Sequence, residues 1–137
     1  MAKSGRHARG LIDTSVVIDL GQIDPEKLPD EIAISAVTMA ELAAGPHASS
    51  DPAERARRQD RLQRAEANFD PLPVDGAVAR AYGRIYATVA AAGRKARGRR
   101  AFDLLIAATA LAAELPLYTR NPKDFHGLSD VLEIVVL

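Results

Sequence analysis

Short apolar runs with no polar face, alternating with stretches of helical spacing, set the strongest constraint on this fold. "RGLID" leads into "TSVVIDLGQ", closed by Gly21, and "EIAISAV" leads into "TMAELAAG", ended by Gly45 and Pro46. Further on, "PLYT" runs into the turn "NPKDF", and "VLEIVVL" forms a last apolar segment. Strands that lack a polar face are covered on both sides, and strands alternating with helices pair in parallel. The pattern predicts an α/β fold, three-layered α/β/α, with a central parallel sheet of about four or five short strands.

Three more helices are expected. Asp51 or a neighbouring serine caps a long surface helix in "SSDPAERARRQDRLQRAEANF", with Pro52 at its first position. "DGAVARAYGRIYATVAAAG" keeps helical spacing through Val78, Ala81, Tyr82, Ile85 and Val89, and "AFDLLIAATALAAEL" is apolar nearly all round, as in a helix buried on several sides. "DPLPV" is a further short strand at best. Residues 1–9 read as a flexible basic arm and 10–137 as one domain, a size that buries about two-thirds of the unfolded surface.

The 137 residues include no cysteine, which excludes a disulfide framework, a thiolate metal site and a cysteine nucleophile, and which fits a reducing cytoplasmic setting. No apolar run is long enough to span a membrane, and "MAKSGRHARG" has no apolar segment of a signal peptide behind it. Eighteen basic residues balance eighteen acidic ones, which excludes a uniformly basic nucleic-acid binder. The charges are sorted, however: "RKARGRR" holds Arg94, Lys95, Arg97, Arg99 and Arg100, and the segment after it is rich in acids.

Four of the acids fall where a parallel sheet places ligands, outside the carboxyl ends of its strands. Asp13 ends the first strand, Glu41 lies in the first turn of the helix after the second, Asp103 opens the buried apolar helix, and Asp124 follows "PLYT". Each also fits helix capping. Asp13 precedes a helix, "TMAE" spells a capping box, Asp103 suits a first turn, and "NPKD" has Asn121 as its cap. Together they are harder to explain that way, because two carboxylates about 5 Å apart repel by about 3 kcal/mol at an effective dielectric near 20. A cation offsets such repulsion. With His7, His47 and His126 scattered, and His126 reading as a surface residue of its turn, the all-oxygen donor set favours Mg²⁺ or Mn²⁺ over zinc.

"LIDTSVVIDL", "ISAVTMAELAAG", "FDLLIAATAL" and "LYTRNPKDF", in this order, resemble the PIN-domain ribonucleases, and among them the VapC toxins of toxin-antitoxin pairs. The resemblance runs from Leu11 to Leu137. It implies a small α/β/α nuclease that cleaves RNA with Mg²⁺ or Mn²⁺. It also implies that Asp13, Glu41 and Asp103 are catalytic and metal-binding acids, with Asp124 or Asn121 at the fourth position and Thr14 and Thr119 as supporting hydroxyls. A VapB-type antitoxin and a second toxin subunit are the implied partners, on surfaces like the long charged helix and the face of Tyr82, Ile85, Tyr86 and Val89. For Ile85 and Val89 the residues themselves favour plain core packing.

The expected chemistry is hydrolysis by water, with cations held by Asp13, Glu41, Asp103 and Asp124 clamping the scissile phosphate. An acidic crevice repels RNA, so Arg94, Lys95, Arg97, Arg99 and Arg100 stand as candidate phosphate contacts, the other reading being a solvated loop. Other classes fit less well. A receiver-type phosphoacceptor needs a second acid beside Asp13 and a late lysine, where Thr14 and Arg120 stand, and a haloacid-type phosphatase needs an acid at Ser15. Glycine-rich nucleotide loops are absent. A catalytically inactive RNA-binding or adaptor domain remains the rival.

Overall fold

The computed structural model describes residues 7–93 and 98–137, with the Arg99 side chain left out. Four parallel strands form one sheet: β1 (Arg9–Ile12), β2 (Glu31–Ala33), β3 (Leu117–Thr119) and β4 (Ile134–Val136), in the order β2-β1-β3-β4. The helices are α1 (Thr14–Ile18), α2 (Ala36–Ala44), α3 (Pro52–Asn68), α4 (Gly76–Ala91) and α5 (Arg99–Ala112). Residues 1–6 of the expected basic arm lie outside the described residues, and Arg9 already belongs to β1.

Successive strand residues face opposite sides, and here they feed two cores. Leu11 and Leu117 join Ile85, Val89, Leu104 and Ile106 in one, while Ile12 and Tyr118 join Val16, Val17, Ile34 and Leu42 in the other. That is the expected three-layer arrangement. Ile85 and Val89 are fully buried, as core packing required, whereas Tyr86 is 49% exposed. The charged helix α3 buries Ala65 alone and is laced on its surface by Arg57 and Arg58 to Glu54 and Arg64 to Asp60.

Three boundaries differ from the sequence expectation. "DPLPV" shrinks to a single bridge, Leu72 with Ser35, because Pro71 and Pro73 on either side lack the N–H needed to extend a ladder. Helix α2 starts at Ala36 with Ser35 as its cap, Ser35 Oγ accepting from the Val37 N–H at 3.0 Å, so "TMAE" is no capping box and Glu41 sits in the second turn. Helix α5 starts at Arg99, after Gly98 in a positive-φ conformation (φ 63°, ψ −137°) that favours glycine. Asp103 is therefore the fifth residue of its helix and does not open it.

The chain runs from β1 to β2 on one side and later returns to β3 on the other, so the order reverses between β1 and β3. A parallel sheet offers its crevice at that point. The two strands meet closely at their start too: a Cβ added to Gly10 would lie 2.5 Å from Tyr118 Cε1 and 3.0 Å from Pro29 Cγ. Gly10→Ala is expected to destabilise the fold by about 1–3 kcal/mol through overpacking, read as a fall in Tm of about 3 °C or more.

Candidate active site

Asp13 stands at the strand-order reversal, directly after β1, and is buried. Its N–H donates to the Tyr118 carbonyl at 3.0 Å, continuing the β1–β3 pairing and placing its side chain beside Thr119. One oxygen, Oδ1, accepts from the Val16 N–H at 3.1 Å and from Ser15 Oγ at 2.6 Å; the other, Oδ2, accepts from Thr119 Oγ1 at 2.5 Å. The capping reading of Asp13 is correct, since it is the N-cap of α1, and the same side chain is the centre of a polar cluster.

Each hydroxyl is itself fixed by a backbone N–H from the segment after β3. Arg120 donates to Ser15 Oγ at 3.1 Å, and Asn121 donates to Thr119 Oγ1 at 2.9 Å. The Arg120 guanidinium reaches Asp19 Oδ2 at 3.3 Å, tying the same segment to the far end of α1. Asn121 contributes through its backbone, and its exposed side chain makes no capping bond.

Burial pushes the Asp13 carboxyl above its ordinary value; the Ser15, Thr119 and Val16 hydrogen bonds pull it back, and the nearby charge on Asp124 pushes it up again. Asp124, half-buried in the 3₁₀ turn Pro122–Phe125, is thus near enough for its charge to act on Asp13. Glu41 is held on the other flank, where Thr14 donates to its Oε1 at 2.6 Å and lies 3.1 Å from the buried Thr38 hydroxyl. Asp103 is half-buried on α5, in the turn that follows Arg100 and Phe102. Arg100 donates to the Asp124 carbonyl at 3.0 Å, and Phe102 shares a groove with Thr14 and Glu41.

Among the described residues no three acidic or histidine side chains form a ready metal cage. The donor chemistry nevertheless fits a hard cation. Asp13 is a buried carboxylate whose neighbours are hydroxyls, one N–H and a second carboxylate, with no lysine or arginine to balance it among the described residues.

The basic run divides. Arg94, Lys95 and Arg97 lie outside the described residues, as does the Arg99 side chain, and Arg100 spends one guanidinium N–H on protein backbone. What the sequence reading did not assign is Ser15, visible only as the second hydroxyl after Asp13, and the groove of about 810 Å³ beside Glu41. That groove is lined by Ile18, Val37, Ala40, Ala44 and Phe102 with Arg58 and Arg61 on its wall.

The PIN domain family model matches residues 10–129 of the chain. Ribonuclease VapC5 of Mycobacterium tuberculosis is 36% identical over 133 residues, covering 95% of each protein. The chain belongs to the PIN-domain family, among its VapC ribonucleases. Ribonuclease VapC4 of the same organism is 34% identical, over 93% of this chain and 97% of that protein. In three dimensions this VapC chain is similar to the crystal structure of VapBC-5, a toxin-antitoxin system member from M. tuberculosis, with a TM-score of 0.83 and 38% identity over 95% of this chain and 99% of that one. PIN-domain VapC ribonucleases are in general dependent on divalent metal ions, which accords with the buried carboxylate of this VapC site.

Because folding raises the Asp13 pKa, the folded chain binds this proton more tightly than the unfolded one. The group's contribution to stability is then greatest below its ordinary pKa of 3.8 and declines as pH rises toward the folded value. In EDTA, urea melts are expected to show wild type losing stability relative to Asp13→Asn across that window, with a constant difference above it.

Proposed function

We propose that this VapC chain is the toxin of a toxin-antitoxin pair, an endoribonuclease that hydrolyses RNA in the cytoplasm with Mg²⁺ or Mn²⁺ held by Asp13, Glu41, Asp103 and Asp124. The observation that carries the reading is the buried Asp13 carboxylate, with no cationic partner among the described residues and the charge of Asp124 nearby, at the crevice between β1 and β3. When bound, a divalent ion there supplies Lewis acidity toward a phosphate oxygen and acidifies a water for attack. The chain's own residues do the positioning. Ser15 and Thr119 orient Asp13, Thr14 aims Glu41, and Arg100 holds the turn that bears Asp124. The basic run before α5 offers phosphate contacts that draw RNA toward an otherwise acidic crevice.

Purified protein incubated with structured RNAs is expected to cleave them with Mg²⁺ or Mn²⁺ and not in EDTA. Asp13→Asn and Asp103→Asn should each lower the rate by about two orders of magnitude or more, since even residues that only orient metal ligands cost 10–100-fold. Cleavage that survives both substitutions would refute the carboxylate site. Absence of cleavage, together with no metal-dependent rise in Tm, would favour the inactive adaptor instead.

The toxin-antitoxin assembly of the similar VapBC-5 structure supports a partner for this chain. The groove beside Glu41, with Ile18 45% and Phe102 50% exposed, suits an apolar segment of a VapB-type antitoxin, and Arg61 on its wall suits an acid on that segment. A homodimer is part of the same proposal, with the exposed Tyr86 face of α4 available to it. On co-expression with a VapB-type partner, Ile18→Glu should abolish co-purification while RNA cleavage persists, and the mass of the toxin alone should be that of a dimer.

A further inference from the structure

The two oxygens of Asp13 are not equivalent. A carboxylate oxygen offers about two lone-pair directions. Among the described residues Oδ1 uses both, one for the Val16 N–H at 3.1 Å and one for Ser15 Oγ at 2.6 Å, whereas Oδ2 uses one, for Thr119 Oγ1. The Ser15 hydroxyl cannot readily turn away. It accepts the Arg120 N–H at 3.1 Å, so its hydrogen is left to point at Asp13, and Thr119, accepting from Asn121 at 2.9 Å, is fixed in the same way.

We propose that Ser15 is a positioning residue that saturates Asp13 Oδ1, leaving one lone pair on Oδ2 for a cation and so tuning the site toward small octahedral ions. The inference rests on the metal-dependent reading above. Mg²⁺ demands close-packed octahedral ligation, while Ca²⁺ takes more ligands and accepts a carboxylate through both oxygens. A carboxylate restricted to one free oxygen serves the first kind of ion and handicaps the second. Ser15 also joins α1 to the Thr119–Asn121 segment, and the Asp124 N–H donates to the Asn121 carbonyl at 3.0 Å, so the same hydroxyl helps fix the spacing of the two acids.

The test compares wild type, Ser15→Ala and Ser15→Thr by calorimetric titration with Mg²⁺, Mn²⁺ and Ca²⁺, by Tm in EDTA, and by steady-state RNA cleavage. In Ser15→Ala, Mg²⁺ and Mn²⁺ affinity should fall about tenfold, the lower end of what loss of a ligand-orienting group costs, while Ca²⁺ affinity changes less than threefold. The kcat should fall with the KM for RNA within twofold, and Ser15→Thr, which keeps the hydroxyl, should restore both. Equal losses for the three ions, no loss, or a loss that Ser15→Thr does not restore would overturn the proposal. Wild-type protein that neither binds Mn²⁺ nor cleaves RNA would instead overturn the functional reading beneath it.

Discussion

The structure is organised around one carboxylate that is buried with no counter-charge among the described residues. Moving a carboxylate out of water is costly unless hydrogen bonds or an opposite charge offset it, and at Asp13 two hydroxyls and one backbone N–H do so in part. These partners come from both ends of the crevice: Ser15 and Val16 from the start of α1, Thr119 from the end of β3. The hydrogen bonds that make the charge tolerable are therefore the ones that hold β1, α1 and the post-β3 segment in register. A residual electrostatic demand remains at the centre of that junction, and the nearby charge of Asp124 adds to it. The proposed catalytic centre and the structural cohesion of the fold share the same atoms.

Much of this was legible in the chain. The strand-to-helix alternation led to the right layering because Leu11 and Ile12, or Leu117 and Tyr118, are apolar on both faces, and a pair of cores follows from that alone. The acids were legible because each follows a strand or lies within one turn or so of a helix start. Local pattern failed at the helix starts themselves. Thr38 and Glu41 have the spacing of a capping box, but Thr38 is buried next to Thr14 and Glu41 turns to the Thr14 hydroxyl, so tertiary contacts took both side chains away from the backbone. The early start of α5 depended on the conformation of Gly98, which spacing does not reveal. Ser15 could not be singled out because its role comes from Arg120, 105 residues away.

Of the basic run before Asp103, Arg100 is the one side chain among the described residues, and the arginines of α3 divide in their roles. Arg100 is bonded to main chain, Arg57 and Arg58 are drawn to Glu54, and Arg64 to Asp60, while Arg61 faces the groove. Exposed ion pairs of this kind contribute little to stability individually; their effect here is to choose which guanidinium groups stay available.

The outermost strands, β2 and β4, are three residues each. An apolar, parallel sheet with long free edges is a template for pairing with other chains, and very short edges are one way proteins avoid it. With so few unpaired backbone groups on offer at either margin, copies of this chain have little to gain from extending the sheet between them. Contacts with other chains are thereby left to side chains on the helices, and the same brevity guards apolar strands against edge-to-edge pairing.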